Sequence, residues 1–119
     1  MKKFSTAILL GLLLMVFSGC SSAPEGTVAI KDLQQNIDQR IGEEVVVVGT
    51  TDTGVAGMSS AKLFRLYRGN DAVFASVPEG TQEPPQGVRV RVTGVVAKKD
   101  FHGGIGERVY IEARSVRME

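Results

Sequence analysis

One cysteine and one histidine are all the thiol and imidazole that this 119-residue chain has, and their scarcity excludes a good deal. A zinc site takes three or four protein ligands, and neither His102 nor Cys20 has a second of its kind to work with. A lone cysteine closes no internal disulfide, so the folded part must hold through its core. Charge of one sign is missing too: 14 basic residues stand against 13 acidic ones. The basic excess that marks a dedicated nucleic-acid binder is therefore not there. Long hydrophobic runs are limited to Ala7–Phe17, short of the roughly 20 residues that span a bilayer as a helix. Catalytic material is equally thin. Ser59-Ser60 lacks a nucleophile-elbow context and a base. Asp100 and His102 make one carboxylate and one imidazole, and Gly103-Gly104-Ile105-Gly106 does not lead from a strand into a helix as a phosphate-binding loop does. The expectation is a protein that is not an enzyme and needs no cofactor or metal.

What is present begins with a three-part N-terminus. Lys2-Lys3 is positive, Ala7–Phe17 is apolar and uncharged, and Ser18-Gly19 is small. That is the layout of a secretory signal. Phe17-Ser18-Gly19-Cys20 resembles the lipobox of bacterial lipoproteins, with Phe17 where Leu is usual. The resemblance implies a division into a lipoprotein signal peptide (1–19), a lipidated Cys20 with a flexible tether (20–27), and a domain (28–119). It implies that Cys20 carries diacylglycerol and an acyl chain such as palmitate, since two or more chains hold a protein on a membrane where one barely does. It also implies a cell-envelope location, with Ser21 favouring the periplasmic face of the outer membrane in a Gram-negative host. Lys2 and Lys3 leave with the signal, so 12 basic residues then face 13 acidic ones.

The domain starts with a helical pattern. Ile30, Leu33, Ile37 and Ile41 recur on one face, with Gly42 as the stop. Core packing of that stripe is the simpler reading, and a partner-binding helix is the alternative. Everything beyond reads as strand. Glu44–Thr51 is β-branched and apolar on both faces. Lys62–Arg68 alternates, Gly69-Asn70-Asp71 turns, and Ala72–Val77 follows as a third strand. Three prolines and two glycines in 78–87 exclude a long helix there. Val88–Val96 alternates up to Gly94, where a bulge or bend fits. Residues 98–107 read as a glycine-rich loop, and Arg108–Ala113 as the fifth strand. Closure would remove the exposed edges of such a sheet. The expectation is an all-β fold with a small α contribution: a five-stranded antiparallel barrel preceded by one short helix.

The runs Val45–Gly49, Phe64–Tyr67 and Gly87–Val96 resemble the OB-fold across residues 43–116, and the leading helix is similar to that of the bacterial OB-fold family of periplasmic proteins. The chain departs from the pattern at Arg68, where an acidic residue often ends the second strand, and in lacking room for a helix between the third and fourth. The resemblance implies a ligand across strands two and three. Arg65, Tyr67, Arg68, Phe74, Arg89, Arg91 and Tyr110 are the candidate ligand face, against the plain alternative of an ordinary solvated sheet surface. Three functions stay open. The first is a membrane-tethered, non-enzymatic binding module for an envelope protein, peptide or small ligand. The second is a single-stranded nucleic-acid-binding OB domain, which the charge balance does not favour. The third is haem handling through His102, although the family stretch for that chemistry is absent.

Overall fold

The computed structural model describes residues 26–54, 61–102 and 105–119. The segment expected as a signal peptide (1–19) and Cys20 lie outside them, as do Ser59-Ser60 and Gly103-Gly104. Helix α1 (Ile30–Asn36) passes directly into a 3-10 turn (Ile37–Arg40). Strands β1 (Glu44–Asp52), β2 (Leu63–Arg68), β3 (Asp71–Ser76), β4 (Arg89–Phe101) and β5 (Gly106–Met118) follow. They close a barrel in the order β1-β2-β3-β5-β4, with β4 returning to β1.

Four of the contacts are antiparallel, and the β3–β5 contact, at Ala75 and Ile111, is parallel. The expected five-stranded antiparallel OB-like barrel is present, with one parallel closure contact that has a geometric reason. A closed ring with an odd number of strands cannot alternate direction all the way round, so one contact must be parallel.

Alternation decides what lines the barrel. Val45 and Val47, Phe64 and Leu66, Val73 and Ala75, Val90, Val92 and Val96, and Ile111 point inward and are buried. Helix α1 adds Ile30 and Leu33 to the same cluster, and Gln34 Oε1 accepts a 2.7 Å bond from the Ala72 N–H beside the β2–β3 turn. The helical stripe holds for Ile30 and Leu33 and fails at Ile41, which is 46% exposed. The reason is the 3-10 turn: its tighter winding ends the 3.6-residue repeat before Ile41 is reached.

Two other boundaries differ from expectation. Within the segment expected as a loop, 98–107, residues 98–101 and 106–107 are strand, because β4 and β5 form a long hairpin arm that pairs from Lys98–Val109 to Phe101–Gly106. Charged residues at its outer positions mimic a loop. The bulge falls at Gly94, but the extra residue is on the partner strand: Thr93 faces Ser115 and Gly94 faces Ala113, leaving Arg114 unopposed. Inward alternation on β4 therefore continues through Gly94 unchanged. A Cβ at Gly94 would lie 2.3 Å from the Glu112 carbonyl oxygen, so the close approach of β5 requires glycine.

Candidate ligand-binding face

The outward residues of adjacent strands form cross-strand rows. Asp52, Arg65 and Phe74 make one row over β1, β2 and β3. Arg89, Thr50, Tyr67 and Ala72 make the next, over β4, β1, β2 and β3. Four of the seven sequence-derived residues (Arg65, Tyr67, Phe74 and Arg89) thus share a continuous outer surface. Arg91 follows Arg89 on the same side of β4, opposite Val48.

Two of the seven stand elsewhere. Arg68 has the inward parity of Leu66 and emerges, exposed, at the β2–β3 turn. Tyr110 is 5% exposed and meets Phe101 edge to face, with centroids 5.0 Å apart. With Leu63 these two rings form a small second core outside the barrel, against which Phe74 packs. Burial foremost, and then the charge of Glu112, pushes the Tyr110 hydroxyl above its ordinary value of 10.0. An open groove of about 810 Å³ passes this cluster, between Ser76–Thr81 on one side and Phe101, Glu112 and Arg114 on the other.

Two half-buried rings of this surface, Tyr67 and Phe74, each have a guanidinium group close by. The Arg65 guanidinium lies 5.5 Å from the Tyr67 centroid, and that of Arg108 lies 5.3 Å from the Phe74 centroid. Such contacts contribute about 0.5–1 kcal/mol when exposed. The surface therefore presents two arginine cations, each held near an aromatic ring.

Arg65 is also fixed from below. Its Nε donates to Asp52 Oδ2 at 3.2 Å, while Asp52 Oδ1 accepts from Gly54 N–H at 3.2 Å and Gln86 Nε2 at 3.3 Å. The Gly54 N–H foremost, then the Gln86 amide and the Arg65 guanidinium, hold the Asp52 carboxyl below its ordinary 3.8. Gln86 Oε1 in turn accepts from Thr53 N–H at 2.6 Å and Thr53 Oγ1 at 2.8 Å. The fully buried Thr51 hydroxyl donates to Pro85 O at 2.6 Å and accepts from Val88 N–H at 3.1 Å. Residues 51–54 are thereby clasped to residues 85–88, at the end of the barrel where β1 leaves the sheet.

Sequence reasoning missed Arg108, Asp52 and Gln86. Arg108 was legible as the outward neighbour of Tyr110 by two-residue alternation, since it is the first residue of the strand expected over Arg108–Ala113. Gln86 sits among prolines and glycines and carried no signal. His102 is exposed in the β4–β5 turn, and among the described residues no group of three His, Cys, Asp or Glu side chains could hold a metal.

A closed five-stranded barrel in the order β1-β2-β3-β5-β4 defines an OB-fold. The solved structures agree on the fold. The telomere capping protein Ten1 from Saccharomyces pombe superposes with a TM-score of 0.52 at 12% identity, covering 80% of this chain and 81% of that one. The S. pombe Stn1-Ten1 complex gives 0.50 at 13% identity, over 82% and 79%. An OBody bound to hen egg-white lysozyme gives 0.50 at 20%, over 82% and 96%. No protein-family model matches the sequence, and no curated protein does.

Proposed function

We propose that this chain is a non-enzymatic OB-fold binding module that takes an extended anionic ligand with flat groups, single-stranded nucleic acid, across the outer face of β1, β2 and β3. One observation carries the reading: the guanidinium groups of Arg65 and Arg108 lie 5.5 and 5.3 Å from the ring centroids of Tyr67 and Phe74 on neighbouring strands. Stacked arginine and aromatic planes take bases without regard to sequence, and the same guanidinium edges reach phosphates. The near-neutral total charge, which argued against this ligand, does not describe the face. Arg65, Arg89, Arg91 and Arg108 share the outer surface with Asp52, Glu119, Glu44 and Glu112, while Asp32 lies on α1, Asp38 on the 3-10 turn, and Glu79 and Glu83 on the loop between β3 and β4.

The test is a fluorescence-anisotropy titration with a single-stranded oligothymidylate. Stacking is worth about 1–3 kcal/mol per base, so Tyr67→Ala should weaken binding by about 5- to 150-fold. Undiminished affinity in Tyr67→Ala and Arg65→Gln together would move the ligand off this face.

The membrane-tethered envelope location belongs to the same proposal as a separate element. The lipobox-like Phe17–Cys20 supports it, with diacylglycerol on Cys20 as the anchor and the binding face carried outward on the tether. A protein or peptide partner in the envelope is the alternative ligand, and would be indicated if oligothymidylate does not bind.

A further inference from the structure

A feature on the far side of β1 gives the ligand a direction. Arg91 on β4 stands directly opposite Arg117 on β5, on the outer side of the barrel. Directly opposed side chains have Cβ atoms about 4.5–5.5 Å apart, and like charges in that position oppose folding. Arg89, one outward position along β4, adds a third guanidinium. The nearby carboxylate is that of Glu119, which accepts from Arg91 Nε at 3.0 Å and whose backbone N–H donates to the Arg89 carbonyl. Among the described residues, Arg89 and Arg117 have no acidic partner. Thr50 joins this cluster to the first face without a break, since it pairs with Arg89 on one side and Tyr67 on the other.

We infer that Arg89, Arg91 and Arg117 form a phosphate track that carries a bound single strand from the Tyr67 face over β1 onto β4 and β5. The Glu119 carboxylate occupies one anion position of the track in the free protein. Three cations around one carboxylate leave two guanidinium groups unmatched, and their mutual repulsion is relieved when anions enter. From Phe74 on β3 to Arg117 on β5 the path crosses four strand-to-strand steps, about 19 Å along the curved sheet. The bases remain on the Arg65–Tyr67–Phe74 surface, while the track touches backbone and is indifferent to base identity.

This inference rests on the nucleic-acid reading above, and the experiment separates the two. Binding of a single-stranded oligothymidylate to the purified chain is measured over a salt series for wild type, Arg89→Gln, Arg117→Gln and Glu119→Gln, with Lys31→Gln on α1 as a control for net charge. The slope of log affinity against log salt should fall by about 0.7 for each track arginine removed. Lys31→Gln should leave it unchanged, and Glu119→Gln should tighten binding by about 2- to 5-fold. The melting temperature of Arg117→Gln should match or exceed that of wild type, as a purely structural arginine would not allow. If wild type binds and Tyr67→Ala weakens it, but the arginine variants keep the wild-type slope, the track is wrong and the first face stands. If wild type does not bind at low salt, both are overturned.

Discussion

At the scale of single residues, the chain places its polar groups where geometry leaves little choice. Asp52 is the clearest case. Its carboxyl titrates lower in the fold than in the unfolded chain, so it contributes stability above the unfolded value near 3.8, and that contribution is lost as pH falls through the lower, folded value. Wild type should therefore lose more stability between about pH 6 and about pH 3 than Asp52→Asn does, as read from urea unfolding at the two pH values. An equal loss in both proteins would remove the clasp from the account. Gly94 makes the opposite kind of case, set by space alone. A methyl group there meets backbone atoms of Glu112 and Ala113 at 2.3–2.9 Å. Gly94→Ala should cost about 1–3 kcal/mol in the same measurement. The bulge at this residue was legible in the sequence, because a glycine inside a valine-rich alternating strand has few other uses. Its partner Arg114 was not, since nothing in a single strand says which side of a pair carries the extra residue.

At the scale of elements, legibility followed hydrophobic alternation. β1, β2 and β3 are bounded within a residue or two of expectation, because Val45–Val48, Phe64–Leu66 and Val73–Ala75 carry the pattern of a buried strand. The β4–β5 arm was under-read because Lys98, Lys99 and Asp100 are exposed along it, and only Phe101 at its tip is buried. That burial depends on Tyr110 across the hairpin and on Leu63 from β2, which no local window contains. Helix α1 was over-read by one turn. Periodicity gave Ile30, Leu33 and Ile41 equal standing, whereas the fold buries the first two and exposes the third. Paired substitutions should make the difference visible: Leu33→Ala costs about 2–5 kcal/mol, and Ile41→Ala stays within about 0.5 kcal/mol of wild type. Comparable losses at both positions would return Ile41 to the core.

At the scale of the whole molecule, a near-neutral chain builds an unevenly charged surface. Composition hides this, since alternation sends Arg65, Arg89, Arg91 and Arg117 to the outer side of β2, β4 and β5, a local gathering of cations although Glu44, Asp52, Asp71, Asp100, Glu107 and Glu112 also stand on strands. The candidate site was correspondingly half legible: strand parity identified Arg65, Tyr67, Phe74 and Arg89, but the enclosure of Tyr110 is a tertiary event. The proposed lipid anchor belongs to this scale as well. Cys20→Ala should abolish incorporation of a labelled palmitate analogue and release the protein from the membrane fraction of a bacterial host. Retention of the label would place the lipid elsewhere. The most direct test of the binding face is amide chemical-shift mapping of the nitrogen-15-labelled protein during titration with single-stranded oligothymidylate. The account predicts saturable shifts at Thr50, Arg65, Tyr67 and Phe74 with α1 unaffected. Shifts confined to the groove beside Ser76–Thr81, or none at low salt, would contradict it.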